Sequence, residues 1–286
     1  MKKLRKSVIT FLTFIILIMV ATLILLWKFA DNTTLELTEY TVTATKIPSS
    51  FNGYRIAQVS DLHNAVFSPD NEPLLSLLRA SNPDIIVFTG DQIDSRKTDA
   101  EVVLSFAQQA VKIAPCYLVT GNHEGSIPIT AEVNTQLEQI GVAVLEDEII
   151  TLTKAKDTIN LIGINDPTIK NRFLEIGQEG AADEVLGNLC SNLSGYSILL
   201  SHHPEYLDIY AKYNIDLVLC GHAHGGQVRI GELGMIAPHQ GLFPKYDSGC
   251  YTQDNTTMIL SRGLGNSLFP YRINNQPEVV LVELVS

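Results

Sequence analysis

The sequence predicts an α/β domain built on a mixed sheet or on two packed sheets, preceded by one transmembrane helix. Short apolar segments alternate with amphipathic segments along much of the chain, as is typical of α/β folds. In the middle and at the end, strand-like segments follow one another without a helix between them, which disfavours a purely parallel sheet. No G-x-G-x-x-G turn follows a strand, so a doubly wound dinucleotide-binding sheet is also disfavoured.

The transmembrane helix is predicted from residues 8–27, an uncharged apolar run of 20 residues. This is about the length that a helix needs to cross the hydrocarbon core of a bilayer. Four basic residues precede the run and one, Lys28, follows it, which predicts a single-pass cell-membrane protein with a cytosolic amino terminus and an extracytoplasmic body. A cleaved secretory signal is the alternative, but the run exceeds the ~7–15 apolar residues of a signal and no clear A-x-A site follows.

The chain divides into a basic segment with its anchor over 1–30, a juxtamembrane segment with an edge strand over 31–50, and one domain over 51–286. The apolar runs predict strands at 54–60, 84–90, 115–121, 142–147, 149–154, 158–164, 196–201, 216–220, 226–230, 258–263 and 278–284. Helical periodicity predicts helices at 73–80, 98–113, 130–140, about 180–191 and 205–212.

Five of these strands end on Asp, Asn or His. The motifs are D-L-H at 61–63, G-D-Q-I-D at 90–94, G-N-H-E at 121–124, H-H at 202–203 and G-H-A-H at 221–224. The carboxyl ends of parallel strands meet at one rim of a sheet, where ligands bind in open α/β folds. Because alternate residues of an extended segment point to one side, Asp61 with His63 and His222 with His224 are each expected to face one site.

This combination of side chains predicts bound metal. Carboxylates, an amide and imidazoles together suit Mn, Fe, Zn, Co or Ni rather than Ca or Mg. The ligands are too many for one ion, so two divalent ions are expected, with a carboxylate bridging ions ~3.5–4 Å apart. Taken singly, each residue is better explained as a cap, a turn residue or a buried core residue. Asp94 and Glu124 are expected to hydrogen-bond to ligand histidines or to the backbone.

The five motifs in this order resemble those of the calcineurin-like metallophosphoesterases. The tail GHAHGGQVRIGELGMIAP, GLFPKYDSG and SRGLG is similar to the membrane-associated or exported bacterial branch of YkuE-like and YaeI-like phosphoesterases. The resemblance implies a sandwich of two mixed sheets flanked by helices, the αββα arrangement. It assigns one metal to Asp61, His63, Asp91 and His224, and the other to Asp91, Asn122, His202 and His222. It also places His123 beside the scissile phosphate as leaving-group acid or transition-state stabiliser.

The predicted function is a dimetal phosphoesterase that hydrolyses phosphomonoester, phosphodiester or pyrophosphate bonds with a metal-activated water. The anchor favours a lipid-linked or cell-envelope substrate, and Asn64, Arg229 and His239 are the candidate substrate contacts. Two alternatives remain: hydrolysis of small soluble phosphodiesters, and a non-catalytic metal-binding scaffold at the membrane. Nucleic acid is not an expected partner. Residues 31–286 contain 15 basic and 31 acidic residues, and the resulting formal charge of -16 would repel the phosphate backbone.

Overall fold

The computed structural model describes residues 9, 11–21, 31–169, 173–267 and 269–286. The strands are β1 Glu36–Thr43, β2 Tyr54–Val59, β3 Ile85–Thr89, β4 Cys116–Val119, β5 Val142–Val144, β6 Glu148–Lys154, β7 Asp157–Gly163, β8 Ser197–Leu200, β9 Leu217–Cys220, β10 Arg229–Ile230, β11 Leu233–Gly234, β12 Ile236–Ala237, β13 Gly241–Leu242, β14 Gly249–Gln253, β15 Thr256–Leu260 and β16 Glu278–Val285. The helices of the body are α1 Glu72–Ser81, α2 Ala100–Ala110, α3 Asn122–Gly125, α4 Thr130–Ile140, α5 Phe173–Leu189 and α6 Leu207–Lys212.

The main strands form two six-stranded sheets, both mixed. The first sheet has the order β1-β16-β2-β3-β4-β5, in which β2 to β5 are parallel and β16 runs antiparallel to β2. The second has the order β14-β15-β9-β8-β7-β6, with a parallel centre and an antiparallel strand at each edge. The prediction of an α/β fold with two mixed sheets flanked by helices is therefore confirmed.

The two sheets pack face to face over an apolar layer to which both contribute. Ile56 and Val87 of the first sheet and Ile198 and Leu219 of the second are fully buried in this layer. Apolar runs in β2, β3, β8 and β9 supply these side chains, because strands covered on both faces must be apolar throughout.

Helices cover the outer face of each sheet. Leu74 of α1, Phe106 of α2 and Leu137 of α4 pack on the first sheet, while Leu186 of α5 and Tyr210 of α6 pack on the second. Their apolar residues recur at helical spacing and so form one buried stripe per helix. The sandwich brings the carboxyl ends of β2, β3 and β4 to the same edge as those of β8 and β9.

Part of the predicted transmembrane run, 8–27, lies outside the described residues. Residues 9 and 11–21 of the run are described and are helical. No helix within the described part of the chain is both long enough and apolar enough to cross a membrane.

The sequence predictions are wrong mainly after residue 225. The predicted strand at 226–230 is a tight turn followed by the two-residue strand β10, and β14 was not predicted at all. Three more two-residue strands, β11 to β13, complete two small hairpins. Strands this short have no detectable alternation, so their sequence resembles that of a loop.

Candidate metal centre

The five motifs converge at one edge of the sandwich. Asp61 and His63 follow β2, Asp91 follows β3, and His202 follows β8. Of the eight residues assigned to metal or catalysis, only Asn122 and His123 are not fully buried, and both lie in the one-turn helix α3. The structure therefore brings the predicted site residues together.

A first donor cluster joins the D-L-H motif to the second histidine of G-H-A-H. The Nε2 atoms of His63 and His224 lie 3.2 Å apart, and Asp61 Oδ1 lies 3.4 Å from His224 Nε2. Asp61 Oδ1 is 3.9 Å from His63 Nε2. Three donor atoms of two types thus surround one point, as a divalent transition metal requires.

A second donor cluster contains Asp91, His202 and His222. His202 Nε2 lies 3.2 Å from Asp91 Oδ2 and 3.1 Å from His222 Nδ1. The same Asp91 oxygen is 3.5 Å from His63 Nε2, which belongs to the first cluster. One carboxylate oxygen therefore stands between the two clusters.

The neighbouring groups orient these donors. His202 Nδ1 lies 2.8 Å from the Thr89 carbonyl oxygen, to which it can only donate, so Nε2 is the ring nitrogen that faces the cluster. Burial opposes charge on this ring, but the Asp91 carboxylate raises the pKa of His202 well above its usual value, so a metal ion would replace the Nε2 proton. The backbone N–H of His123 donates to Asp91 Oδ1 at 2.8 Å, which leaves Oδ2 available. Gly121 packs so closely on Asp91 that any Cβ would collide with its carboxylate.

The motif turns are strained. Five of the donor residues have left-handed backbone conformations: Asp61 (φ 51), His63 (φ 45), Asp91 (φ 53), His222 (φ 74) and His224 (φ 49). Such conformations cost non-glycine residues about 1–3 kcal/mol each and concentrate at functional sites. The donors are thus brought together by tight turns beyond the strand ends, and the expectation of extended alternation at 61–63 and 222–224 is wrong.

Three of the four cluster histidines, and Asp91, are held in their metal-binding protonation states. Burial lowers the pKa of His63 to about 3 and holds those of His222 and His224 well below the usual value, so these rings are neutral. Burial opposes ionisation of Asp91, but the neighbouring His202 outweighs it and holds the carboxyl pKa well below its usual range. Burial also raises the pKa of Asp61 to about 6.

The donor set fits divalent metal ions. Neutral imidazoles and an ionised carboxylate are the ligating forms of these side chains. The side-chain oxygen of Asn122 is buried without a hydrogen-bond partner, which an amide ligand to a metal would explain. The nitrogens of His63 and His224 can share at most one proton at 3.2 Å, whereas one cation satisfies both.

His123 presents one nitrogen to the clusters. Its Nδ1 accepts the backbone N–H of Ser95 at 2.9 Å. The Asp94 carboxylate lies farther away, 3.5 Å from the same nitrogen, and is paired with Arg96 at 2.6 Å. Because a backbone N–H always carries its proton, Nδ1 must be the acceptor and Nε2 carries the ring proton. That Nε2 is 4.0 Å from Asp91 Oδ2, so His123 offers a neutral hydrogen-bond donor to the site.

Glu124 lies beneath the Asp91 turn and is not itself a donor in either cluster. Its carboxylate accepts the backbone N–H groups of Asp91 (2.8 Å), Ile93 (2.9 Å) and Gly121 (2.8 Å). Burial raises its pKa to about 7. This carboxylate therefore fixes the backbone that carries the shared ligand, as the sequence analysis expected.

We expect Glu124→Gln to lower both stability and metal affinity. The amide would turn an NH₂ group toward backbone donors, leaving at least one buried N–H unpaired at a cost of about 1–3 kcal/mol. Displacement of Asp91 should weaken metal binding by about 10–100-fold, the usual effect of losing a supporting group. Urea unfolding and metal titration measure the two effects. Glu132→Gln, on the exposed face of α4, is the control, and equal behaviour of both variants would contradict this role.

Two of the three candidate substrate contacts are engaged within the protein. The Asn64 amide donates to the Lys97 carbonyl oxygen at 2.6 Å and accepts the Asp94 N–H at 3.3 Å. Arg229 is paired with Asp247 at 3.2 Å and also donates to backbone carbonyls. Both side chains thus hold loops around the site.

His239, the third candidate, is half exposed at the edge of the second cluster. Its Nδ1 lies 3.3 Å from Glu205, and its ring centroid is 5.0 Å from that of His222.

A buried network behind His222 was missed by the sequence analysis. His203 is bound through Nε2 to Asp166 at 2.6 Å and through Nδ1 to Glu205 at 2.9 Å. Burial opposes its charge, but the two carboxylates raise the pKa of His203 to about 9. Asp166 lies just beyond the carboxyl end of β7, so the strand-end pattern gave a signal for it. No local pattern indicated Glu205.

Comparisons with known proteins agree with this geometry. Residues 54–226 match the model of the family described as calcineurin-like phosphoesterase. The chain is 29% identical over 265 residues to the uncharacterized metallophosphoesterase YkuE of Bacillus subtilis, covering 91% of this chain and 88% of that protein. It is 27% identical over 240 residues to the phosphodiesterase YaeI of Escherichia coli, covering 81% and 82%. The solved structure of TT1561 from Thermus thermophilus superposes with a TM-score of 0.51 at 12% identity, over 74% of this chain and 91% of that one, which shows a common fold.

Proposed function

Because this chain belongs to the calcineurin-like phosphoesterase family and is a metal-dependent phosphoester hydrolase, we propose that it is a dimetal enzyme acting on a lipid-linked or cell-envelope phosphoester or pyrophosphate. The observation that carries the two-metal proposal is the position of Asp91 Oδ2, 3.2 Å from His202 and 3.5 Å from His63. A carboxylate oxygen facing two donor clusters is suited to bridging two cations.

Each cluster would hold one ion. Asp61, His63 and His224 would bind the first and Asn122, His202 and His222 the second, with Asp91 shared. When bound, such ions neutralise phosphoryl oxygens and acidify a water. The chain itself orients these ligands by burying most of them and by holding five of them in strained turns.

His123 would donate a hydrogen bond from Nε2–H to an oxygen of the reacting phosphate and would keep its proton. The Ser95 N–H fixes the tautomer that makes this donation possible. A donor held in place before the reaction stabilises charge that develops on a phosphoryl or departing oxygen. Because Nδ1 is already an acceptor, the ring acts as a neutral donor.

Replacing His123 with Gln should lower kcat by about 10²–10³-fold while metal content stays the same. If the hydrogen bond is made to the departing oxygen, the loss should be smaller for a nitrophenyl ester than for an alkyl ester, since nitrophenolate needs little stabilisation. Thr135→Ala, on the exposed face of α4, is the control and should retain activity. Equal losses for both esters would instead assign the donor to a non-departing oxygen.

The amino-terminal segment supports a substrate at the membrane. We propose that residues 8–27 anchor the chain and that its body lies outside the cytosol, since four of the five basic residues before residue 31 precede the run. A reporter that works only after export should be active when it is fused after Ser286, and a reporter that works only in the cytosol should be inactive there. Activity of the cytosolic reporter alone would overturn this orientation.

Hydrolysis by the manganese-loaded full-length protein tests the proposed function. We expect turnover of phosphate esters, and a higher kcat/KM for a lipid phosphoester in vesicles than for a short-chain soluble ester with the same head group. Equal values would favour the hydrolysis of small soluble phosphodiesters. If protein with both metal sites filled hydrolyses no ester, the remaining interpretation is a non-catalytic metal-binding scaffold.

A further inference from the structure

Seven large apolar side chains are exposed on the segments that follow the G-H-A-H motif. We name them the apolar face; their exposed fractions lie between 42% and 69%, and they are Ile230, Leu233, Ile236, Leu242, Phe243, Phe269 and Tyr271. We infer that the apolar face docks into the bilayer surface beside the metal centre. This inference rests on the proposed membrane location of the substrate and adds the surface that would present it.

The segments that carry the apolar face are joined to one another, and Ile230 pairs with Leu233 and Ile236 with Leu242 across the two hairpins. The hairpin of β10 and β11 is joined to the 269–273 segment by the Arg229 N–H, which donates to the Ile273 carbonyl at 3.0 Å. The Phe243 N–H donates to the Met235 carbonyl at 2.9 Å, which ties the end of the second hairpin to the residue that links the two hairpins. Large contiguous apolar patches are uncommon on soluble monomers and mark surfaces that bind a partner or a membrane.

The apolar face lies where the chain enters the body. The Asp31 N–H donates to the Arg272 carbonyl at 2.9 Å, and the Asn32 side chain donates to the Pro270 carbonyl at 2.8 Å. Phe269 and Tyr271 flank these contacts. The apolar run ends at Trp27, so the intervening chain spans at most about 14 Å. A membrane that holds the run therefore lies within reach of the apolar face, and this favours a bilayer over other occupants.

The apolar face also borders the metal centre. The Met235 N–H donates to the Gly226 carbonyl at 3.2 Å, which holds the hairpins against the turn that carries His222 and His224. His239 stands in the loop between β12 and β13 and contacts Glu205. A bilayer seated on the apolar face would bring lipid phosphates to the open side of the donor clusters.

Charge contributes little to this docking. Glu232, in the first hairpin, and Lys245, just after the second, are exposed and have opposite charges, and the Arg229 guanidinium is already paired with Asp247. Apolar burial rather than attraction to anionic lipid is therefore the driving force. Docking should therefore not need anionic lipid, and the net negative charge of the body predicts no stronger docking on anionic than on zwitterionic vesicles.

Quenching by brominated lipid tests the contact directly. In full-length protein carrying Trp27→Phe, we compare Leu233→Trp with Lys156→Trp, which lies on the β6–β7 turn at the opposite edge of the sandwich. Bromines on the acyl chains of phosphatidylcholine vesicles should quench the first variant and leave the second unaffected. Equal quenching of both variants, or none, would overturn the inference.

Activity separates this inference from the proposed function. Leu233→Asp combined with Leu242→Asp should lower kcat/KM for a vesicle-borne phospholipid ester about tenfold or more, with the short-chain soluble ester hydrolysed as before. Ala155→Asp, at the opposite edge, is the matched control.

Unchanged hydrolysis of the vesicle substrate by the double variant would refute docking through the apolar face but leave the proposed phosphoesterase activity intact. No hydrolysis of either ester by the unmodified protein would refute the proposed function instead. A dimer in lipid-free detergent that the double variant disrupts would assign these residues to a subunit interface.

Discussion

Asp91→Asn is expected to lower kcat/KM for any phosphate ester by about 10³-fold or more, the effect of losing several kcal/mol of transition-state stabilisation. Asp91 Oδ1 is held by the His123 N–H at 2.8 Å, and Oδ2 faces both donor clusters. An amide has only one oxygen. If that oxygen takes the bridging place, the NH₂ group opposes the His123 N–H, and if it takes the other place, the bridge is an NH₂ group that cannot bind a cation.

The matched control for this loss is Asp216→Asn. Asp216 is also a well-ordered carboxylate that accepts a backbone N–H, from Ser197 at 3.0 Å, and it pairs with Lys46 at 2.8 Å. It precedes β9, so it lies at the edge of the sandwich opposite the metal centre. The control should retain full activity. Normal turnover by Asp91→Asn would show that the site assignment is wrong.

Removal of metal is expected to abolish activity and to lower stability together. Chelation leaves two buried pairs of histidines with no cation between their nitrogens, His63 with His224 at 3.2 Å and His202 with His222 at 3.1 Å. Each bound ion should stabilise the fold by about 2.7 kcal/mol at a concentration 100 times its Kd. The melting temperature should therefore rise with added Mn²⁺ as activity returns.

Asp91→Asn also tests whether the metal-dependent rise in melting temperature comes from these two clusters. It removes the ligand that both clusters share, so the variant should lose most of the metal-dependent rise in melting temperature, whereas Asp216→Asn should keep it. Activity that survives exhaustive chelation, or a melting temperature that does not respond to any divalent transition metal, would contradict a metal centre at these residues.

The motif residues were predictable because strand ends locate them. Apolar runs identify β2, β3, β4, β8 and β9, and the next few residues of each supply the donors. The pairing of Asp61 with His63 was predicted correctly from the wrong geometry, since left-handed turns rather than extended strands place these side chains. His222 and His224 lie at the same edge of the sandwich but in different donor clusters, so their predicted pairing at one point is wrong. Asp and His are among the non-glycine residues enriched in left-handed conformations, but most Asp and His residues lie elsewhere, so their presence alone does not locate such turns.

The rest of the site depends on contacts between distant segments. His203 meets Asp166 across 37 residues of chain, and Ser95 fixes the tautomer of His123 across 28. Neither contact follows from spacing or periodicity. The two hairpins from 229 to 242 also escaped prediction, because two-residue strands are shaped by the turn they pack against rather than by their own pattern.

Anomalous diffraction from crystals of the manganese-loaded protein tests the central claim most directly. We expect two peaks per chain, about 3.5–4 Å apart, one among Asp61, His63 and His224 and the other among Asn122, His202 and His222, with Asp91 between them. A single peak, or two peaks that do not share Asp91, would contradict the account.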